Sequence, residues 1–228
     1  MKRLLVVLAL LAAVAGCTPT AAEPAGHSSP GSTGSSITAE LAKVKVVAER
    51  PEVPGYDRSC KKGHGCVFGA AWKDVDRNGC DTRNDVLNAQ LTGIVTKPGT
   101  RGCVVIKGTL QDPYTGREIV FVKARATAVQ IDHVYPLGRA WDMGASTWTL
   151  ERRVEFANEQ ERNLLAVDGR ANAAKGDDGP GEWMPLNAGF RCEYVLRYLR
   201  VAVEYELPVT QGDVDAAREI APKCGGAR

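Results

Sequence analysis

Apolar and polar positions change period several times along the chain, and each change marks an element. Leu4 to Val14 is an unbroken apolar run behind Met1-Lys2-Arg3. It is shorter than the ~20 residues a permanent membrane helix needs, so residues 1–16 read as an export signal. Residues 18–36 (TPTAAEPAGHSSPGSTGSS) hold no large apolar side chain and predict a flexible tether after Cys17. TAELAKVKVVAE (38–49) fits a short helix or strand and is broken by Pro51 and Pro54. CVFGAAWKDVDRNGCDTRNDVLNAQL (66–91) reads as a loop and then a helix from near Thr82, where Thr82 and Asp85 fit an acidic capping box. CVVIKGTL (103–110) and REIVFVKA (117–124) are β-rich runs around the turn residues QDPYTG, which predicts a hairpin. ATAVQIDHV (126–134) is a further strand, TLERRVEFANEQE (149–161) a helix, and NLLAV (163–167) a short buried strand. ANAAKG (171–176) gives one or two helical turns. FRCEYVLRYLRVAVEYE (190–206) and GDVDAAREIA (212–221) are amphipathic helices. This mixed order predicts an α+β fold, with residues 37–228 as one domain.

Composition sharpens the picture. With 228 residues, 44% hydrophobic and 25% charged, the chain is neither disordered, nor a coiled coil, nor a polytopic membrane protein. Its formal charge is +2, and removing Lys2 and Arg3 leaves the rest neutral, so a polyanion must be held by local charge. VAGC (14–17) resembles the bacterial lipobox, which implies lipid on Cys17 and anchoring at the outer face of a bacterial membrane; a plain secretory signal, with release, is the alternative. Six cysteines remain, which reads as three disulfides with fifteen possible pairings; Cys60–Cys66, Cys80–Cys103 and Cys192–Cys224 are favoured because each closes a local unit. A zinc set of Cys60, His64, Cys66 and Cys80 fits no common spacing.

The chemistry concentrates in IDHVYPLGRAW (131–141) and NLLAVDGRANAAKGDD (163–178). Together they resemble the ββα-metal core of HNH nucleases, in the variant with asparagine in place of the later histidines. The similarity is closest to the HNH family that includes the C-terminal region of GmrSD-type restriction enzymes. It extends through YDR (56–58), FGAAWKDVDRNGCDTRNDVL (68–87), AWDMGA (140–145), GEWMP (181–185) and RCEY (191–194), with the core at 126–178. The resemblance implies an endonuclease acting on DNA, with RNA as the alternative substrate, in which His133 is the general base. Asp132 and the side-chain oxygen of Asn172 are implied metal ligands, Asn163 a holder of the catalytic loop, and Lys175 a phosphate or transition-state contact. One carboxylate and one amide oxygen suit magnesium or manganese. The residues themselves allow this chemistry. An ordinary imidazole is a competent base at neutral pH, with activity then rising from about pH 5 to 8. Adjacent strand residues Asp132 and His133 point to opposite faces. Asn172 and Lys175 share a helix face, and the start of that helix favours a phosphate.

Each candidate has a plainer role. Asp132 and His133 could satisfy loop backbone, Asn163 could sit in a turn, Asn172 could cap a helix, and Lys175 could be solvated. Asp74, Asp76, Asn78, Gly79 and Asp85 match an EF-hand pattern, so calcium at 74–85 is possible, though a disulfide at Cys80 and a cap at Asp85 also explain them. Arg83 reads equally as a phosphate contact or a surface residue. Arg139 and Trp141 read as nucleic-acid contacts or as packing for the insert (136–162). The contrasting function is a non-catalytic surface lipoprotein that keeps an HNH-like fold for binding.

Overall fold

The computed structural model describes residues 30–225. The export signal, the lipid expected on Cys17 and residues 17–29 lie outside the described residues. Helix α1 (Pro30–Leu41) begins inside the stretch expected to be tether. The reason is visible at Ile37, which is fully buried in the main core, so the turns before it have something to fold against.

A short strand β1 (Val46–Val47) follows, then α2 (Thr82–Gln90), β2 (Thr92–Thr96), β3 (Val105–Gln111) and β4 (Glu118–Val122). β2, β3 and β4 form an antiparallel sheet, with the β3–β4 hairpin where the alternating runs predict it. The cap of α2 lies one residue earlier than expected. Asp81, not Thr82, accepts from the Asn84 amide, while the Thr82 hydroxyl turns back to the Lys73 carbonyl.

The centre of the molecule is β5 (Val129–His133) paired antiparallel with β6 (Leu164–Asp168), with α5 (Gly169–Lys175) entered straight from β6. Val129, Ile131, Leu164 and Ala166 face a core shared with α2 and the three-stranded sheet. Leu165 and Val167 face the larger core. Covered on both sides, β6 reads in sequence as a continuous apolar run instead of an alternation. The Gln90 side chain closes the β6 edge, donating to the Leu164 carbonyl and accepting from the Ala166 amide.

The insert folds back as α3 (Leu137–Asp142) and α4 (Leu150–Ala157); α4 ends at Asn158, short of the 149–161 expected. Arg139 and Trp141 pack the molecule. Arg139 is 0% exposed and binds Glu182 and Asp213, and the Trp141 indole donates to the Val53 and Pro54 carbonyls. Helices α6 (Arg191–Glu204) and α7 (Gln211–Ile220) complete the larger core, and β7 (Val209–Thr210) pairs parallel with β1. The disulfides are Cys60–Cys66, Cys80–Cys103 and Cys192–Cys224, as the spacing predicted, so no zinc set of those cysteines exists. No helix among the described residues is long and apolar enough to cross a membrane.

Candidate active site at the end of the buried hairpin

The pleat of β5 sends its last two side chains to opposite faces. His133 pairs across the hairpin with Leu164 and shares the face of Ile131. Its Nε2 lies 2.9 Å from the Ala157 carbonyl oxygen. A carbonyl only accepts, so Nε2 carries the hydrogen and the lone pair is on Nδ1. The Trp72 indole stacks on the ring, with centroids 6.1 Å apart and planes 14° from parallel. The imidazole is 5% exposed and opens on a cleft of about 20 Å³ lined also by Arg58, Gly69 and Asn158. Burial pushes its pKa down to about 3, and repulsion from Arg58 and Lys175 adds to this against the hydrogen bond to Ala157. This corrects the expectation of an imidazole titrating between pH 5 and 8. It is neutral throughout that range.

Asn158 is buried too. Its Nδ2 donates to the Val154 carbonyl, and its Oδ1 has no hydrogen-bond partner among the described residues. A cleft of this size has room for about one water molecule, and such a water needs polar partners. Two residues that line it each offer an acceptor, Asn158 through Oδ1 and His133 through Nδ1.

Asp132 lies on the opposite face, under α5. The Lys175 ammonium is 3.0 Å from its Oδ1 and 2.9 Å from the His133 carbonyl, and the Tyr114 hydroxyl donates to Oδ2 at 2.5 Å. Burial raises the carboxyl above its ordinary range, opposed by the Lys175 charge and the bonds from Tyr114 and Lys175. Lys175 was expected at a phosphate; it is instead 0% exposed and its ammonium binds Asp132 and the His133 carbonyl, which ties α5 to β5. Asn172, one turn earlier, donates through Nδ2 to Gln130 Oε1, which leaves the amide oxygen as its ligand-capable end. Asn163 bridges the hairpin exit, accepting from the Tyr135 amide at 2.8 Å and donating to its carbonyl. The start of α5, expected to attract phosphate, is capped by Asp168, which accepts from the Arg170 and Ala171 amides.

These strands, this helix and this Asp-His order lie within residues 81–216, which match the family described as GmrSD restriction endonucleases, C-terminal domain. The chain belongs to that family. An uncharacterized secreted protein of Arthroderma benhamiae is 32% identical over 215 residues, 93% of this chain and 97% of that protein. No solved structure matches the chain significantly.

As a GmrSD C-terminal domain, the chain adds to the matched region two residues that precede it, Arg58 and Trp72. Neither was singled out from sequence. Both lay inside stretches of the resemblance, Arg58 in YDR (56–58) and Trp72 in FGAAWKDVDRNGCDTRNDVL (68–87), but neither carried a role of its own. Asn158 and Tyr114 were also missed, because one lay in a helical run and the other in a turn. His64 is not part of the site; it binds Asp57 in the Cys60–Cys66 loop. In the 74–85 loop, Asn78 donates to Asp74, Asp76 and Asp85, and Gln160 to Asp76 and Asp85. Among the described residues no group of three or more His, Cys, Asp or Glu is arranged to hold a metal ion.

Proposed function

We propose that the chain is an exported, metal-dependent endonuclease that hydrolyses DNA phosphodiester bonds, with His133 as general base. Membership of an endonuclease family supports the reaction class, and the secreted relative supports export. VAGC (14–17) supports a lipid anchor on Cys17.

The observation that carries the reading is that the His133 imidazole, whose Nε2 is held by the Ala157 carbonyl, lines one cleft with Arg58 and with Asn158, whose buried Oδ1 has no hydrogen-bond partner among the described residues. A water there donates one hydrogen to Asn158 Oδ1 and the other to His133 Nδ1. As its oxygen attacks phosphorus, the proton passes to Nδ1 and Nε2–H spreads the new charge toward the Ala157 carbonyl; the bond from phosphorus to the leaving sugar oxygen breaks, and that oxygen takes a proton from solvent water, leaving a phosphomonoester and a sugar hydroxyl. Arg58 meets the phosphate. An imidazole this weakly basic is a poor base in the free protein, since catalytic pKa values work best near the operating pH. A phosphate on Arg58 cancels the repulsion that lowers His133 and adds an attractive charge, so substrate raises the basicity of the base that attacks it.

Asp132 is a hard oxygen donor of the kind magnesium and manganese take, but in this structure both its oxygens are occupied, Oδ1 by the Lys175 ammonium and Oδ2 by the Tyr114 hydroxyl, so an ion would have to displace the ammonium. The carboxylate already supports a positive charge at Oδ1, where the Lys175 ammonium stands. Asp132 and the Asn172 amide oxygen would hold magnesium or manganese in place of that ammonium, completed by water and phosphate. When bound, the ion would relieve charge on the phosphoryl oxygens.

Supercoiled plasmid tests this. The purified chain should nick it with magnesium or manganese and not with chelator, and His133→Ala should slow nicking by about 10²-fold or more. A thermal melt of the variant keeps misfolding apart from lost chemistry. Equal cutting by a folded variant, or no cutting by the natural chain with either ion, sinks the reading.

A further inference from the structure

We infer that the cleft sharing Trp72 with the His133 site is a nucleotide subsite, where an unpaired base of the substrate strand stacks on the Trp72 indole and its phosphate meets Lys123 and Arg83. This rests on the nuclease reading above.

Trp72 is held at φ 59°, a left-handed backbone conformation that bulky residues almost never adopt. Only surroundings that fix it keep it there. Its half-buried indole packs on the core beneath α2 and the sheet and stacks on His133. The same residue lines a second cleft of about 340 Å³, within the range of small-ligand sites. Leu87 and Phe121 give that cleft an apolar floor, and Arg83 and Lys123 give it positive charge.

Arg83 Nη2 lies 3.2 Å from the Val129 carbonyl and 3.5 Å from that of Ala126, so the guanidinium is set in place before any ligand arrives. The acid in the lining, Asp81, is occupied, accepting from the Asn84 amide and Nδ2 to cap α2. An aromatic plane flanked by cations is what holds single-stranded nucleic acid, because every base has a stacking face and every link a phosphate. Guanidinium adds a planar fork matched to phosphate. Since Trp72 borders both clefts, a base seated here places a neighbouring phosphate at Arg58 and His133.

The test is anisotropy of a labelled single-stranded DNA oligonucleotide in chelator, with each base in turn replaced by an abasic site. With the natural chain, one abasic position should weaken binding roughly 5- to 150-fold. That penalty should fall below about twofold in Trp72→Leu and survive in part in Trp72→Phe. Lys123 is exposed, so Lys123→Ala should fold normally and reduce the slope of log affinity against log salt by about 0.7. The inference is overturned by natural-chain binding indifferent to every abasic site, by a penalty unchanged in Trp72→Leu, or by an unchanged salt slope in Lys123→Ala. Plasmid nicking reports separately on the nuclease reading. Nicking without base-dependent binding removes the subsite alone, and base-dependent binding without nicking removes the nuclease alone.

Discussion

At the scale of one residue, His133 shows how a fold can take a titration out of the physiological range. Its ordinary pKa of ~6.5 would make it a switch near neutrality, but burial beside Trp72, with Arg58 and Lys175 nearby, pushes it down to about 3. The free chain therefore holds a neutral base from pH 5 to 8, and kcat/KM, which reports the free enzyme, should be flat over that range as far as His133 decides it. A tenfold fall in kcat/KM between pH 7 and 6, absent from the same measurement on a substitute base, would show ordinary titration. Stability carries the matching sign. Between about pH 6.5 and 3 the unfolded histidine binds a proton and the folded one does not, so stability is full above that window and is lost as pH falls through it, by up to ~1.4 kcal/mol per pH unit. Urea titrations at pH 4 to 7 should show this loss in the natural chain and less of it in His133→Asn. The histidine we propose as base was readable in Asp-His at a strand end. Its basicity was not, because Arg58, Trp72 and Ala157 come from separate stretches of chain.

At the scale of the element, the β5–β6–α5 unit was readable because each part carries its own signal. ATAVQIDHV and NLLAV are apolar enough to be strands, and the Asp168-Gly169 turn marks the helix start. β2 was not readable, since TGIVT contains a glycine at φ 58° and none of its five residues is fully buried. α3 was hidden behind Pro136, its cap, and spans only Leu137–Asp142. Sequence also could not show that Lys175 turns inward. A helical lysine is usually solvated, and only the Asp132 carboxylate and the His133 carbonyl beneath α5 make burial tolerable. Removing one partner of such a pair leaves a stranded charge. Lys175→Met should therefore cost about 3–5 kcal/mol in urea unfolding, and adding Asp132→Asn should recover part of it. A loss under about 1 kcal/mol in the single variant would mean that the ammonium contributes no more than an exposed pair does.

At the scale of the whole molecule, the three disulfides lie at different distances from the candidate site. Their sequence separations are 6 for Cys60–Cys66, 23 for Cys80–Cys103 and 32 for Cys192–Cys224. Loop-closure entropy then ranks their contributions at roughly 2, 3 and 4 kcal/mol. Position ranks them the other way. Cys192–Cys224 fastens the start of α6 to the end of the described chain, and neither cysteine lines the His133 cleft. Cys60–Cys66 closes the loop after Arg58 and before Phe68 and Gly69, which do line it. That loop is further pinned by Asp57, which accepts from the Ser59 and Gly65 amides and meets His64. Gly69 sits at φ 71°, with a Cβ there only 2.5 Å from Val154 Cγ2, so the loop meets α4 at one fixed spacing. Paired Cys→Ala variants should thus fall in opposite orders. Removing Cys192–Cys224 should cost the most in urea unfolding and leave nicking below the melting range nearly unchanged. Removing Cys60–Cys66 should cost the least stability and the most activity, because it frees Arg58 from the wall of the His133 cleft, where we propose it meets the phosphate. If activity instead tracked stability across the three variants, the disulfides would act only on the folded fraction, and the loop's hold on Arg58 would count for nothing.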